Sequence, residues 1–411
     1  MKIIISALYL LGMVIYNAGL AIASLFYTKA RLLYKGRRNT WRILKTYNAD
    51  KPCVWIHSAS MGEFEQARPI IEAIREQQPD RRIVLTFYSP SGYEVRKNYQ
   101  LADVVCYLPS DTPWNACHFI KAINPDLAIF IKYEYWHFFL NALRSKKIRT
   151  LGASMILDKA QPFFKWYGAW FRDMLHCFEH LYIQDKNSAQ LLESIGVKHY
   201  TIAGDTRFDR VKAISESSKS FPLIEEFVKN APLVFVAGST WPPDEDLIVP
   251  FINNPDNNIK LIIASHEIDN ARVQSLKSRF TVKTFLYTEP IENPSDAKVL
   301  IINTMGMLSA IYKYGQIAYV GGGFGKGIHN TLEPATYGIP VLFGPKHTRF
   351  KEALDLIACG GGFAVTDNQS FTSILTTLIN DKEKLSAAGH ASDEYVKSMC
   401  GATKLIMSNL N

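Results

Sequence analysis

The first 49 residues contain no acidic side chain, although eight basic ones are spread among them: Lys2, Lys29, Arg31, Lys35, Arg37, Arg38, Arg42 and Lys45. From Asp50 onward 38 basic residues face 38 acidic ones, so the net charge of +8 is local to the amino-terminal arm. A protein that binds nucleic acid over its whole surface finds no support in that distribution, and a membrane is the better partner for the arm. The six cysteines (Cys53, Cys106, Cys117, Cys177, Cys359, Cys400) form no Cys-x-x-Cys pair and no Cys/His cluster at zinc spacing. They read as reduced, mostly buried thiols of a cytoplasmic compartment. Short-period repeats and low-complexity tracts are also missing.

One long apolar run is present. From Ile3 to Tyr27 it is interrupted only by Ser6, Asn17, Ser24 and small residues. About 25 residues at roughly 1.5 Å each are long enough to cross a hydrocarbon core of ~30 Å. Charge before the run is limited to Lys2, whereas five basic residues follow within a dozen positions, which puts the rest of the chain in the cytoplasm. A cleaved signal peptide needs the opposite layout. The alternatives are a spanning anchor and a helix lying in the interface. No second run of spanning length occurs, so the remaining body is expected to be soluble and held at the inner leaflet.

Along that body, β-branched and aromatic runs alternate with helix-length segments, the pattern of parallel sheets with crossover helices. Candidate strands fall into two sets, from Cys53 to Ala203 and from Leu233 to Val365, separated by the polar stretch Asp209–Ser220 and Phe221-Pro222. The expected organisation is an anchor over 1–28, an α/β domain over 29–208, a linker over 209–230 and a second α/β domain over 231–411. Ligands of such sheets sit beyond the carboxyl ends of the strands, so binding is expected in a cleft between two facing halves.

The densest glycine cluster, Val320-Gly321-Gly322-Gly323-Phe324-Gly325-Lys326-Gly327, follows a strand and leads through His329-Asn330 into a helix carrying Glu333. Glycines let backbone N–H groups approach an anion, and a helix start adds partial positive charge, so a phosphate is the natural guest. The run fits neither G-x-G-x-x-G nor a P-loop, which removes support from dinucleotide oxidoreductases and P-loop NTPases. The plainer reading is a tight turn. His329 and Glu333 as a metal pair lack a third candidate ligand. In His57-Ser58-Ala59-Ser60-Met61-Gly62-Glu63, a strand breaks into a helix and leaves Glu63 on the ligand side of the first sheet. It is either a favourable charge at a helix start or a general base. Glu134, Arg207, Gly238, Ser239 and Thr240 are weaker candidates of the same two edges.

Together with Gly238-Ser239-Thr240-Trp241, these runs and the segments His329-Asn330-Thr331-Leu332-Glu333-Pro334-Ala335 and Gly338-Ile339-Pro340-Val341-Leu342-Phe343-Gly344-Pro345 resemble the 3-deoxy-D-manno-octulosonic acid (Kdo) transferases of lipopolysaccharide assembly. The resemblance implies an α/β fold of GT-B glycosyltransferase architecture, with two Rossmann-like domains and a membrane-associated amino-terminal part. It implies an inverting transfer from CMP-Kdo to the lipid A precursor (lipid IVA) at the inner membrane, with no metal or other cofactor. By the same resemblance Glu63 is the general base, and Glu134 and Arg207 line the acceptor side. Ser239, Thr240, His266, Gly321, Gly322, Gly323, His329, Asn330 and Glu333 serve the donor. The chain departs from the family pattern at Gly327-Ile328, at Asn303-Thr304-Met305-Gly306, and at Ala264-Ser265-His266-Glu267, where an arginine of the family is absent. Two rivals remain: another nucleotide-sugar enzyme of this architecture, such as a hexosamine transferase or an epimerase, and a lipid-binding scaffold without catalysis.

Overall fold

A computed structural model of the chain describes residues 2–48, 50–217 and 219–410. Met1, Ala49, Ser218 and Asn411, which fall in the expected segments, lie outside the described residues. The chain divides into two compact units, Met1–Arg210 with Cys400–Asn411, and Val211–Met399.

The first unit opens with two helices, α1 (Lys2–Phe26) and α2 (Thr28–Lys45). Its sheet contains β1 (Cys53–Ser58), β2 (Arg82–Phe87), β3 (Val104–Tyr107), β4 (Leu127–Ile131), β5 (Arg149–Met155), β6 (His180–Ile183) and β7 (Tyr200–Ile202). They run in the order β3-β2-β1-β4-β5-β6-β7, with every pairing parallel. Because side chains alternate along a strand, Cys53 and Trp55 enter one apolar layer while Val54 and Ile56 enter the other. Both faces are therefore buried, as a parallel sheet requires.

The second unit repeats the design with β8 (Val234–Thr240), β9 (Lys260–Ser265), β10 (Thr284–Leu286), β11 (Val299–Ile301), β12 (Ile317–Val320), β13 (Val341–Phe343) and β14 (Gly362–Ala364). Its order is β10-β11-β9-β8-β12-β13-β14, again parallel throughout. Strands β1–β7 fall between Cys53 and Ala203 and β8–β14 between Leu233 and Val365, the two sets read from the sequence.

Two boundaries differ. Residues 400–410 belong to the first unit and not to the second, because Ile406, Met407 and Leu410 bury into the layer formed by Val54, Ile56 and Phe64. Asp209 fastens them by accepting from Gly401 N–H (2.6 Å) and Thr403 N–H (2.7 Å). The expected linker is largely helical, with helices at Thr206–Glu216 and Pro222–Val228.

Helix α1 is long and apolar enough to cross a membrane. It does not stand free. One row of its side chains is bonded to the first unit: Lys2 to Asp173 (2.7 Å), Ser6 to His137 (3.0 Å), Tyr9 to Asp111 (2.8 Å), Tyr16 to Tyr88 (2.8 Å) and Asn17 to Ser110 (2.5 Å). The opposite face, with Ile3 85% exposed, Leu8, Leu11, Ile15 and Ile22, is bare.

Candidate functional site

In open parallel sheets a ligand site forms where strand order reverses, outside the carboxyl ends of the two strands that flank the reversal. The first unit reverses between β1 and β4, the second between β8 and β12. Each reversal carries one of the two motifs singled out from the sequence.

At the first, β1 ends at Ser58 and the chain turns through Ala59-Ser60 into α3 (Met61–Gln77). Glu63 lies in the first turn, half-buried, and the Ser60 hydroxyl donates to its carboxylate. A negative charge there is also favoured by the N-terminal dipole of α3. Close by in sequence to the end of β4, Tyr133 has its phenol pushed up by burial, then by the charges of Asp158 and Glu63. Sequence reading missed Tyr133, since a lone half-exposed tyrosine carries no pattern.

Glu134, expected on the acceptor side, stands three residues past the end of β4. It is buried, accepting from Trp136 Nε1 (2.6 Å) and bonded to His57 Nε2 (3.0 Å), whose Nδ1 meets Thr86 Oγ1 (2.8 Å). Through that one oxygen, Oε2, the carboxylate braces the ends of β1 and β4. His57, which the sequence showed only as a strand end, is the centre of that brace. Arg207 is held beside Asp205 (2.9 Å) at the start of its helix.

At the second reversal the chain leaves β12 through Gly321-Gly322-Gly323. Gly322 has φ +94° and Gly327 O lies 2.5 Å from where a Cβ would stand. Gly323 packs so closely on Gly344 that a Cβ would meet its Cα at 2.5 Å. Two of the three N–H groups are already committed, Gly321 to Gly238 O (2.9 Å) and Gly322 to Asp244 Oδ2 (2.9 Å). Only the Gly323 N–H among these three is without a hydrogen-bond partner among the described residues. Asp244 is the residue the sequence did not flag. Buried on the first turn of the helix Pro242–Asn253, it also accepts from Trp241 N–H (2.8 Å) and Tyr319 Oη (2.7 Å). Burial raises its pKa, partly offset by those donors. Its sequence signal was an acid three residues past Trp241, at the head of a helix.

The remaining donor-side candidates separate. Thr240 is buried and donates to the fully buried Glu245 (3.0 Å), which also takes Ser265 (3.1 Å) and Arg272. Ser239 sits beside it at φ +53°. His266 stacks on Trp241 at 4.6 Å and on His329 at 4.5 Å, and Trp241 Nε1 donates to His329 Nε2 (3.3 Å). Burial, then His266, pushes His329 down to about 4, so it is neutral at physiological pH. Asn330 donates to Glu333 (3.3 Å) and accepts from Leu332 N–H (3.1 Å), which caps the short helix Leu332–Ala335.

Among the described residues one trio has metal-ligand spacing, His390, Asp393 and Glu394. His390 and Asp393 line a cavity of about 620 Å³ with Gln316 and Pro340, at the amino ends of β12 and β13, the opposite edge of the sheet from the glycine turn.

Residues 34–210 match the family model described as 3-deoxy-D-manno-octulosonic-acid transferase (kdotransferase). A 3-deoxy-D-manno-octulosonic acid transferase of Aquifex aeolicus is 28% identical over 346 residues, covering 82% of this chain and 88% of the relative. The protein of that name from Haemophilus influenzae is 25% identical, covering 87% and 86%. The crystal structure of UDP-GlcNAc 2-epimerase from Neisseria meningitidis superposes with a TM-score of 0.59 at 16% identity, over 87% of this chain and 99% of that one. At that identity the likeness concerns the fold alone.

Proposed function

We propose that the chain, which belongs to the 3-deoxy-D-manno-octulosonic acid transferases, moves Kdo from CMP-Kdo to a hydroxyl of the lipid A precursor at the cytoplasmic side of the inner membrane. The observation that carries this reading is the position of Glu63, a half-buried carboxylate heading α3 at the switch point of a sheet that lies within the matched segment. The Ser60 hydroxyl fixes one side of that carboxylate and leaves lone pairs to accept a proton.

In this reading Glu63 takes the proton as the acceptor oxygen bonds to the anomeric carbon of Kdo. The bond from that carbon to the CMP phosphate breaks with inversion, and CMP leaves with the electron pair. Charge growing on the phosphate falls to the glycine turn of the second unit. Of the three glycine N–H groups, that of Gly323 has no partner among the described residues, on a backbone that Asp244 ties through Gly322. Asn330 and Glu333, already bonded to each other, suit nucleoside hydroxyls. Glu134 and His57 keep the strand ends at their spacing.

Helix α1, bonded to the body along one face and bare and apolar on the other, suits a helix lying in the membrane interface. An acceptor embedded in the same leaflet then needs no extraction into water.

Measuring CMP release from CMP-Kdo, with and without lipid acceptor, tests the reading. Release that requires the acceptor supports transfer, acceptor-independent release or none overturns it. Chelation by EDTA is expected to leave the rate unchanged, since no metal is assigned to the donor phosphate. Loss of activity restored by Mg²⁺ would replace the backbone mechanism by a metal-dependent one.

A further inference from the structure

Helix α2 buries Leu33, Arg37, Thr40 and Leu44 against the first unit, with the Thr40 hydroxyl donating to Tyr107 O (2.8 Å). The i, i+4, i+7, i+11 spacing of that row recurs on the other side of the helix in Arg31, Lys35, Arg38 and Arg42, all exposed. These four line an open cavity of about 780 Å³ together with Leu32 and Tyr93. Arg31 is occupied in donating to Ser24 O (3.1 Å) and Leu25 O (2.9 Å) at the end of α1. Lys35, Arg38 and Arg42 have no carboxylate partner among the described residues. The one acid at the rim, Glu94, is already engaged with Lys97 (3.0 Å) and Tyr107 Oη (3.3 Å).

Three unneutralised cations around a cavity call for an anion, and their neighbour says which kind. α1 and α2 form an antiparallel hairpin, since the Arg37 guanidinium lies over Tyr16, eleven residues before the bend. A smaller cavity of about 180 Å³ is shared by Asn17 and Leu20 of α1 with Tyr34, Arg38 and Trp41 of α2. The cationic row therefore runs alongside α1, a helix whose outward face is apolar. A soluble polyanion would meet only half of that surface, whereas an amphiphile with an acidic headgroup meets both halves.

We propose that the Lys35/Arg38/Arg42 cavity binds the phosphate headgroup of anionic bilayer lipid, fixing how the first unit lies on the membrane. This rests on the interfacial placement of α1 proposed above, and the test separates the two. The full chain is sedimented with vesicles of phosphatidylcholine alone and of phosphatidylcholine with phosphatidylglycerol. Wild type is expected to bind both, the second more tightly. Lys35→Gln/Arg38→Gln/Arg42→Gln should lose that preference by about a hundredfold, from ~1 kcal/mol per charge, and keep its binding to neutral vesicles. Changing Lys382, Lys384 and Lys397 of the second unit to Gln removes the same net charge and should change nothing.

A triple variant that retains the preference, or a control variant that loses it equally, overturns the site. Release of the wild type by inorganic phosphate at constant ionic strength would assign the cavity to a soluble anion and also overturn it. Absence of binding to either vesicle would instead refute the interfacial placement of α1. The three side chains are exposed, so an unchanged circular dichroism melt is expected and shows that the variant is folded.

Discussion

In the first sheet the strand at the switch point runs into His57-Ser58 and delivers a side-chain carboxylate, Glu63, on the opening turn of a helix. In the second, β12 runs into three glycines and delivers backbone. In the reading proposed above, the same topological position serves two chemistries. A proton acceptor must be a titratable side chain, so the first turn can vary its backbone as long as Glu63 and its Ser60 partner are aimed. An anion cradle must be backbone brought close, so the second turn is built by excluding Cβ atoms and by anchoring the glycine N–H groups it does not offer. The bracing differs accordingly. The first edge is held by a buried His57–Glu134 pair, the second by Asp244, which ties β12's turn to the helix after β8.

Replacing the carboxylate makes the largest break in this comparison. Glu63→Gln keeps shape and the bond to Ser60, so CMP-Kdo binding should persist while turnover falls by about 10²–10⁴. Near-normal turnover would reduce Glu63 to a charge at the start of α3. On the other side, Gly322→Val imposes φ +94° on a β-branched residue and drives a Cβ toward Gly327 O. The expected loss is about 2–5 kcal/mol of stability in the second unit, with CMP binding lost alongside it. Gly325→Ala is the matched control, because its nearest neighbour would be 3.5 Å away, in ordinary contact. Its unfolding midpoint should stay within about 1 kcal/mol of wild type. Equal effects of the two substitutions would mean that glycine is not needed for close approach at 322.

The strands were legible because a sheet buried on both faces demands apolar runs of fixed length, and Val54-Trp55-Ile56 or Phe235-Val236-Ala237 can be little else. Glu63 and the glycine turn were legible because they interrupt those runs. What was not legible depends on partners distant in sequence. Nothing near Asp244 announces that it accepts from Gly322, 78 residues on. Nor does anything near Glu134 announce its bond to His57, 77 residues earlier. The last helix was assigned to the wrong unit because contiguity is the only guide when a short apolar triplet, Ile406, Met407 and Leu410, could cover either sheet. In α1 the apolar run concealed the polar row at 2, 6, 9, 16 and 17, which reads as noise until Asp173, His137 and Asp111 face it.

That row gives a smaller effect. Tyr9→Phe leaves the ring packed against His137 and Trp170 but removes the donor to Asp111, a buried carboxylate. A cost of about 1–3 kcal/mol to the first unit is expected in chemical denaturation, with the second unit's transition unmoved. Deleting residues 1–27 should cost more and expose Trp170. An unchanged first-unit transition in both variants would show α1 to be a tether only.

The smallest expected effect separates the two units by sign. Burial pushes Asp111 from the usual 3.8 up to about 6, despite the donors from Tyr9, Phe138 and Phe139. The folded first unit therefore holds a proton that the unfolded chain has released between those values, and its stability falls as pH rises through that window. His329 is the reverse case, pushed from the usual 6.5 down to about 4 by burial and by His266. The unfolded chain takes up a proton that the folded second unit refuses, so stability there is present above pH 6.5 and declines as pH falls toward 4. Acidifying from pH 6.5 to 4.5 should raise hydrogen-exchange protection at the Phe138 and Phe139 amides, which bond Asp111, and lower it around Trp241, which stacks with His266 and donates to His329. Protection factors corrected for intrinsic exchange are the measure. His329→Gln should abolish the second trend alone, and Asp111→Asn the first alone. Protection that moves in the same direction in both units would show that neither group governs its own surroundings.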